Sequence, residues 1–188
     1  MVLHGINSPL STLGTEYIWK QTFINDFGLN RSDLDDFFSG PAFLPWHWMG
    51  NLDEWQGPLS DDWMERGRNL QHNFLARARE FGMTPVFPAF NGFVPKALAA
   101  KFPNSKVTKS SGWCDFEPTY AVDPLDPLFL EIGRKFVKNL CDEYGCPEAR
   151  PMFNADLYNE LGNLLALSTL ITLAILITLI TLVCLITI

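Results

Sequence analysis

The sequence predicts an α/β fold, a partial (β/α)8 TIM barrel with parallel strands and crossover helices, followed by an apolar carboxyl-terminal helix or unrelated tail. Three observations carry this. Short apolar segments alternate with longer segments of helical periodicity, the pattern of parallel strands joined by crossover helices. The stretches after the predicted strands are long and aromatic, which suits loops at the carboxyl ends of barrel strands. No GxGxxG loop marks the competing architecture, an open doubly wound sheet. The chain has 188 residues. A complete barrel needs about 250, so the predicted barrel is partial.

Residues 2–7 read as the first strand, entered in mid-course: the amino end has no basic region followed by a long apolar one, so it is no signal peptide. A helix follows over 15–27, with Tyr17, Ile18, Phe23 and Ile24 at helical spacing and Gly28 as its stop. Ser32, Asp33, Leu34 and Asp35 resemble a capping box for a short helix through Phe38. Residues 39–58 form a long loop holding Trp46, Trp48, Met49 and Trp55. A loop of that length is either functional or a cover for the barrel end.

Ser60 caps a helix over 60–81, Asp61 and Asp62 favour its positive end, and Gly82 closes it. Residues 83–90 read as a buried strand, although Pro85 and Pro88 are unusual in a central one. Pro95 opens a helix to Phe102, and Val107 and Thr108 form a short irregular piece. Residues 109–126 form a second aromatic loop with Trp113, Phe116 and Tyr120. Asp126 caps the next helix, with Pro127 at its first position and Gly145 past its end. A last strand over 151–160 ends in Asn159-Glu160.

After Glu160 no charged residue occurs. Residues 1–160 are therefore read as the barrel segment and 161–188 as a low-complexity tail. Residues 164–188 are long enough to cross a bilayer. Against a membrane anchor stand the recurring Thr and Ser, the absence of flanking anchor residues at the far end, and the missing linker after the strand. The preferred expectation is that the tail replaces the remainder of a larger enzyme.

Composition excludes some partners. The net charge is −7 and the pI about 4.9, which argues against nucleic acid, since phosphate binding needs clustered Lys and Arg. Cys114, Cys141, Cys146 and Cys184 form no CxxC pair, and His4, His47 and His72 fit neither HExxH nor triad spacing. Neither metal nor cofactor is therefore expected, and His47 reads best as a surface histidine. Cys141 and Cys146 lie around a helix end at a spacing compatible with a local disulfide. Asn30-Arg31-Ser32 is a glycosylation sequon, which matters only in a secretory compartment.

Glu160 is the leading catalytic candidate. A carboxylate at the carboxyl end of a barrel strand, with an amide beside it, is how many sugar-cleaving barrels place a general acid. The bland alternative is a solvated strand-end carboxylate. Several stretches then carry a family resemblance: Glu16-Tyr17-Ile18-Trp19, Ser39-Gly40-Pro41-Ala42-Phe43-Leu44, Met49-Gly50-Asn51-Leu52, Trp55-Gln56-Gly57-Pro58-Leu59, Phe81-Gly82-Met83-Thr84-Pro85-Val86, Asp126-Pro127-Leu128-Phe129 and Tyr158-Asn159-Glu160. Over residues 2–160 the chain resembles lysosomal-type alpha-N-acetylglucosaminidases, the family 89 glycoside hydrolases.

The resemblance implies a retaining glycosidase acting on glycans with terminal α-linked N-acetylglucosamine, such as heparan sulfate, in a lysosomal or secretory compartment. It implies Glu160 as the acid/base, Asn159 as a substrate contact, and Trp46, Met49 and Trp113 as walls of the sugar pocket. An aromatic surround agrees with that role, because desolvation raises the pKa of a general acid. One departure stands out. A retaining enzyme needs a second carboxylate about 5 Å from the first, and this chain has no acidic residue after Glu160. Asp156 cannot serve, since four residues along a strand span roughly 13 Å. Two expectations from different classes follow: a glycosidase fragment inactive alone, or a non-catalytic, membrane-tethered sugar-binding or vestigial protein.

Overall fold

The structure is a computed structural model, and it describes residues 2–146 and 151–155. Its centre is a short parallel sheet. β1 (Val86–Pro88) pairs in parallel with β4 (Met152–Asn154), with Phe87 opposite Phe153. On its other side β1 meets residues 7–11 through a parallel bridge at Leu10. Thr84 N donates to Asn7 O (2.8 Å), Val86 N to Pro9 O (2.9 Å) and Ser11 N to Val86 O (2.8 Å). β1 is thus central despite Pro85 and Pro88. Pro85 precedes the short ladder and Pro88 is its last residue, opposite Asn154, and none of its bonds needs a donor from either.

The first strand lies later than the sequence predicts. Val2–His4 is a turn of 3-10 helix with no buried residue, and extended pairing begins at Asn7. Without an apolar partner, residues 2–4 have nothing to hold them in a sheet.

The helices follow the capping chemistry. α1 (Thr15–Gln21) continues as a π-helix over Thr22–Asp26, and Gly28 turns the chain out at φ +64°. Asn30, rather than Ser32, caps the next turn, a 3-10 helix over Arg31–Leu34; Asp33 Oδ2 accepts from Asn30 N (2.7 Å). The stretch 39–58 is not all loop: a 3-10 turn over Pro41–Phe43 leads into α2 (Leu44–Trp48). α3 (Asp61–Glu80) starts as expected, with Ser60 Oγ accepting from Trp63 N. α4 (Lys96–Lys101) follows Pro95. Residues 107–122 form an antiparallel hairpin of β2 (Val107–Lys109) and β3 (Tyr120–Val122), where the sequence suggested only an irregular piece and a loop. α5 (Pro127–Tyr144) begins with Asp126 Oδ1 accepting from Leu128 N.

Helices and sheet meet in an aromatic core. Trp19 of α1 stacks on Phe136 of α5, with ring centroids 3.9 Å apart, and on Phe23 at 5.3 Å; Phe90, just past β1, meets its edge. All four are buried. Tyr144, at the end of α5, stacks on Phe87 and donates its hydroxyl to Gly14 O (3.0 Å). Gly14 has φ +69°, and a Cβ there would lie 2.2 Å from that hydroxyl, so both backbone and space demand glycine. A disulfide joins Cys141 to Cys146 across the end of α5.

The expected apolar helix over 164–188 lies outside the described residues. Among the described residues no helix is long and apolar enough to cross a membrane.

Phe136→Ala removes the ring on which Trp19 stacks, leaving a cavity between α1 and α5. Urea unfolding should show a loss of about 3–5 kcal/mol; a loss below about 1 kcal/mol would show that α1 and α5 do not pack through this ring.

Candidate functional site at the carboxyl end of the sheet

Strand β1 points its carboxyl end at residues 89–94, and the aromatic loops are built on that segment. Asn91 Nδ2 donates to Trp48 O (2.9 Å), fixing the end of α2 above the strand. Phe93 bridges to Ala121, Val94 N donates to Tyr120 O (3.0 Å) and Val122 N to Gly92 O (2.9 Å), so the β2–β3 hairpin stands on the same segment.

α2 carries two of the predicted wall residues. Trp46 lies on the helix and is 37% exposed; Met49 is the residue that ends it. Its last turn is closed by Gly50 N donating to His47 O (2.9 Å) and Asn51 N to Trp46 O (3.0 Å). Gly50 adopts φ +76°, and a Cβ there would fall 1.8 Å from the Phe93 ring. The backbone after Met49 therefore lies flat against Phe93, a position only glycine can fill. From the hairpin, Thr119 Oγ1 donates to Gly50 O (2.9 Å), and Ser110 Oγ bonds that hydroxyl at 2.8 Å.

Trp113 occupies the hairpin tip, half-buried, paired through its backbone with Phe116 across the tight turn Cys114-Asp115. Its ring centroid is 6.4 Å from that of Trp46, the planes inclined by 37°. The structure thus brings Trp46, Met49 and Trp113 to one end of the sheet. Phe43, Trp55 and Phe116 continue the aromatic surface: Trp55 meets Phe43 at 6.1 Å and Phe116 at 5.2 Å, both edge to face. Asn159 and Glu160 lie outside the described residues.

Three charged or titratable groups support this surface, and the sequence pointed to none of them as supports. Glu16 is buried beneath α2 and accepts a hydrogen bond from Trp48 Nε1. Burial raises its pKa, and its backbone and Trp48 bonds offset part of that. A lone Glu in the first turn of α1 looks like an ordinary helix-start charge, so sequence held no signal of its burial. His47, expected at the surface, is buried at 6% exposure, edge-on to Phe37 (4.9 Å) and beside Phe38. Desolvation there pulls its pKa down to about 4 against a partial offset from its bond to the Leu52 backbone, so the ring is neutral. Asp53, where the loop leaves the site, is pushed up to about 7 by burial first and the neighbouring Glu54 second. Glu54 and Gln56 take positive φ (47° and 57°) as the chain doubles back, and Gly40 N donates to Trp55 O (2.8 Å).

Among the described residues no group of three or more His, Cys, Asp or Glu side chains is placed to hold a metal ion. Chemically, the described part is an aromatic, largely apolar wall with hydrogen-bonding backbone beneath it. Such a surface suits the apolar face of a pyranose and excludes water from one side of it.

Comparison with known proteins bears on this geometry. Residues 1–173 match the alpha-N-acetylglucosaminidase (NAGLU) TIM-barrel domain, so the match runs past Glu160 into the uncharged stretch. The chain is 41% identical over 165 residues to human alpha-N-acetylglucosaminidase, covering 86% of this chain and 22% of the human protein. Among solved structures it resembles the family 89 glycoside hydrolase of Clostridium perfringens bound to 2-acetamido-1,2-dideoxynojirmycin (TM-score 0.77, 26% identity, 86% of this chain and 18% of that one). It is equally similar to a form of that enzyme with two Glu→Gln substitutions, bound to its substrate GlcNAc-alpha-1,4-galactose (TM-score 0.77, 26% identity, the same coverage). The chain thus spans about a fifth of the length of these relatives.

His47 should make the fold acid-sensitive in a defined window. The unfolded chain protonates this ring near pH 6.5 and the folded chain only near 4. Its share of stability is therefore intact above about pH 6.5 and lost as pH falls from there towards 4. Urea unfolding at pH 7 and 4.5 should show wild type losing up to about 3 kcal/mol more than His47→Leu over that interval. Equal losses would place the ring in water.

Proposed function

The chain belongs to the alpha-N-acetylglucosaminidase family, and on that premise we propose that it carries the front part of a retaining glycosidase site for terminal α-linked N-acetylglucosamine. The observation that carries the proposal is the meeting of Trp46, Met49 and Trp113 above the carboxyl end of β1, where a (β/α)8 enzyme keeps its site. These residues form the walls against which the sugar ring lies. Glu160 and Asn159 follow β4, the strand beside β1, in sequence. Glu160 is the acid/base, protonating the leaving glycosidic oxygen and then activating water, and Asn159 bonds a sugar hydroxyl or the acetamide group. The substrate form of the bacterial relative, GlcNAc-alpha-1,4-galactose, supports an α-linked N-acetylglucosaminide as substrate class. A lysosomal or secretory compartment fits the Cys141–Cys146 disulfide, which persists in an oxidising lumen.

The 188-residue chain by itself is inactive in this reading. Retention requires a nucleophilic carboxylate about 5 Å from the acid/base, and no Asp or Glu follows Glu160. A carboxylate from elsewhere in the chain would have to reach the opposite face of the same sugar.

Two assays test the proposal together. The purified chain should release nothing from a chromogenic α-N-acetylglucosaminide, and turnover that disappears in Glu160→Gln would overturn the inactivity. A chimera with residues 2–160 replacing the matching segment of the human relative should hydrolyse the same compound. Glu160→Gln should lower its kcat about 100- to 10,000-fold. A folded, secreted chimera without Glu160-dependent hydrolysis would refute the assignment of the site.

A further inference from the structure

Asn30-Arg31-Ser32 is the one Asn-X-Ser/Thr match in the chain, and the sugar site makes no use of it. The fold leaves room for a glycan there, with the acceptor residue at the surface. Asn30 has extended backbone (φ −86°, ψ 163°) immediately before the 3-10 turn over Arg31–Leu34. That backbone is held at both ends by one residue: Asn30 N donates to Asp33 Oδ2 (2.7 Å), and Asp33 N donates to Asn30 O (3.1 Å). The middle residue of the sequon is drawn the other way. Arg31 lies across the start of α3, bonding Asp61 Oδ1 and Asp35 Oδ1 (2.8 Å each) and Leu59 O (2.7 Å). Asn30 and Ser32, the acceptor and the hydroxyl residue, are both exposed. The Cys141–Cys146 disulfide, far away in sequence, independently points to the oxidising lumen in which asparagine glycosylation takes place.

We propose that Asn30 is an N-glycosylation site of this protein. The transfer joins Asn30 Nδ2 to C1 of the reducing-end sugar of a lipid-linked oligosaccharide. The bond from C1 to the lipid pyrophosphate breaks, the pyrophosphate leaves with the bonding pair, and one Nδ2 proton passes to the transferase's base. The glycan then projects from the solvent side of the turn. The clamp on Asp33 uses main-chain atoms of Asn30 and its side-chain oxygen as an acceptor, never Nδ2, so the modification leaves that clamp in place.

The test is to make the full chain behind a cleavable secretory leader in cultured eukaryotic cells and treat it with peptide-N-glycosidase. Leader removal reports entry into the lumen, and because transfer acts on the emerging chain, the readout holds for variants that fold poorly. The expected result is one enzyme-sensitive step in gel mobility, with Asn30 read as Asp by peptide mass spectrometry after treatment. Ser32→Thr keeps the step, while Ser32→Ala and Asn30→Gln abolish it. A leader-processed chain with unmodified Asn30, or a step that survives Ser32→Ala, overturns the proposal.

Discussion

Trp48 is held at two points, and the whole upper surface of the molecule depends on this. Its indole N–H reaches down to the buried Glu16 carboxylate, and its carbonyl accepts from Asn91 just past β1. The first contact ties α2 to α1, the second ties α2 to the sheet. Between them they lock a five-residue helix that could not persist alone, since a helix this short does not repay its nucleation cost. Trp46 and Met49 take their positions from that helix. A buried carboxylate is costly to desolvate, and its backbone hydrogen bond together with the Trp48 bond offsets part of that cost.

The second support comes from the hairpin. Its tip brings Trp113 over Trp46, and its base is zipped to residues 92–94, the chain leaving β1. Gly50 and Thr119 join the two supports, the glycine by yielding space to Phe93 and the threonine by bonding the glycine carbonyl. Elements distant in sequence thus converge on one strand end. This is how a parallel sheet builds a site: the strands fix a common origin and the loops carry the chemistry.

What could be read from the sequence was local chemistry. Ser60 with Asp61, and Asp126 with Pro127 and Gly145, mark the long helices because capping is settled within a few residues. The parallel sheet followed from alternation, and family resemblance singled out Trp46, Met49 and Trp113, which the fold gathers at one end of that sheet. What escaped was settled by distant partners. α2 has Phe43 at its N-cap and no capping side chain, and Pro45 in its first turn is a weak signal inside so short a helix. β2 and β3 are three residues each and exist because they pair with one another and β3 pairs with residues 92–94. The burial of His47 depends on Phe37 and Phe38, and that of Glu16 on Trp48, neither of which a helical pattern reveals. Residues 2–4 failed as a strand for the same reason in reverse: an apolar run without a partner does not make a sheet.

In the proposed function, Trp46, Met49 and Trp113 form one face that a terminal N-acetylglucosamine lies against. Saturation-transfer NMR on the 188-residue chain with N-acetylglucosamine measures this most directly. The expected result is transfer from protein aromatic protons to the sugar, abolished in Trp46→Ala and in Trp113→Ala and unchanged in Trp63→Ala, whose exposed ring lies on α3. Transfer to a folded chain that is indifferent to Trp46 and Trp113 would contradict it.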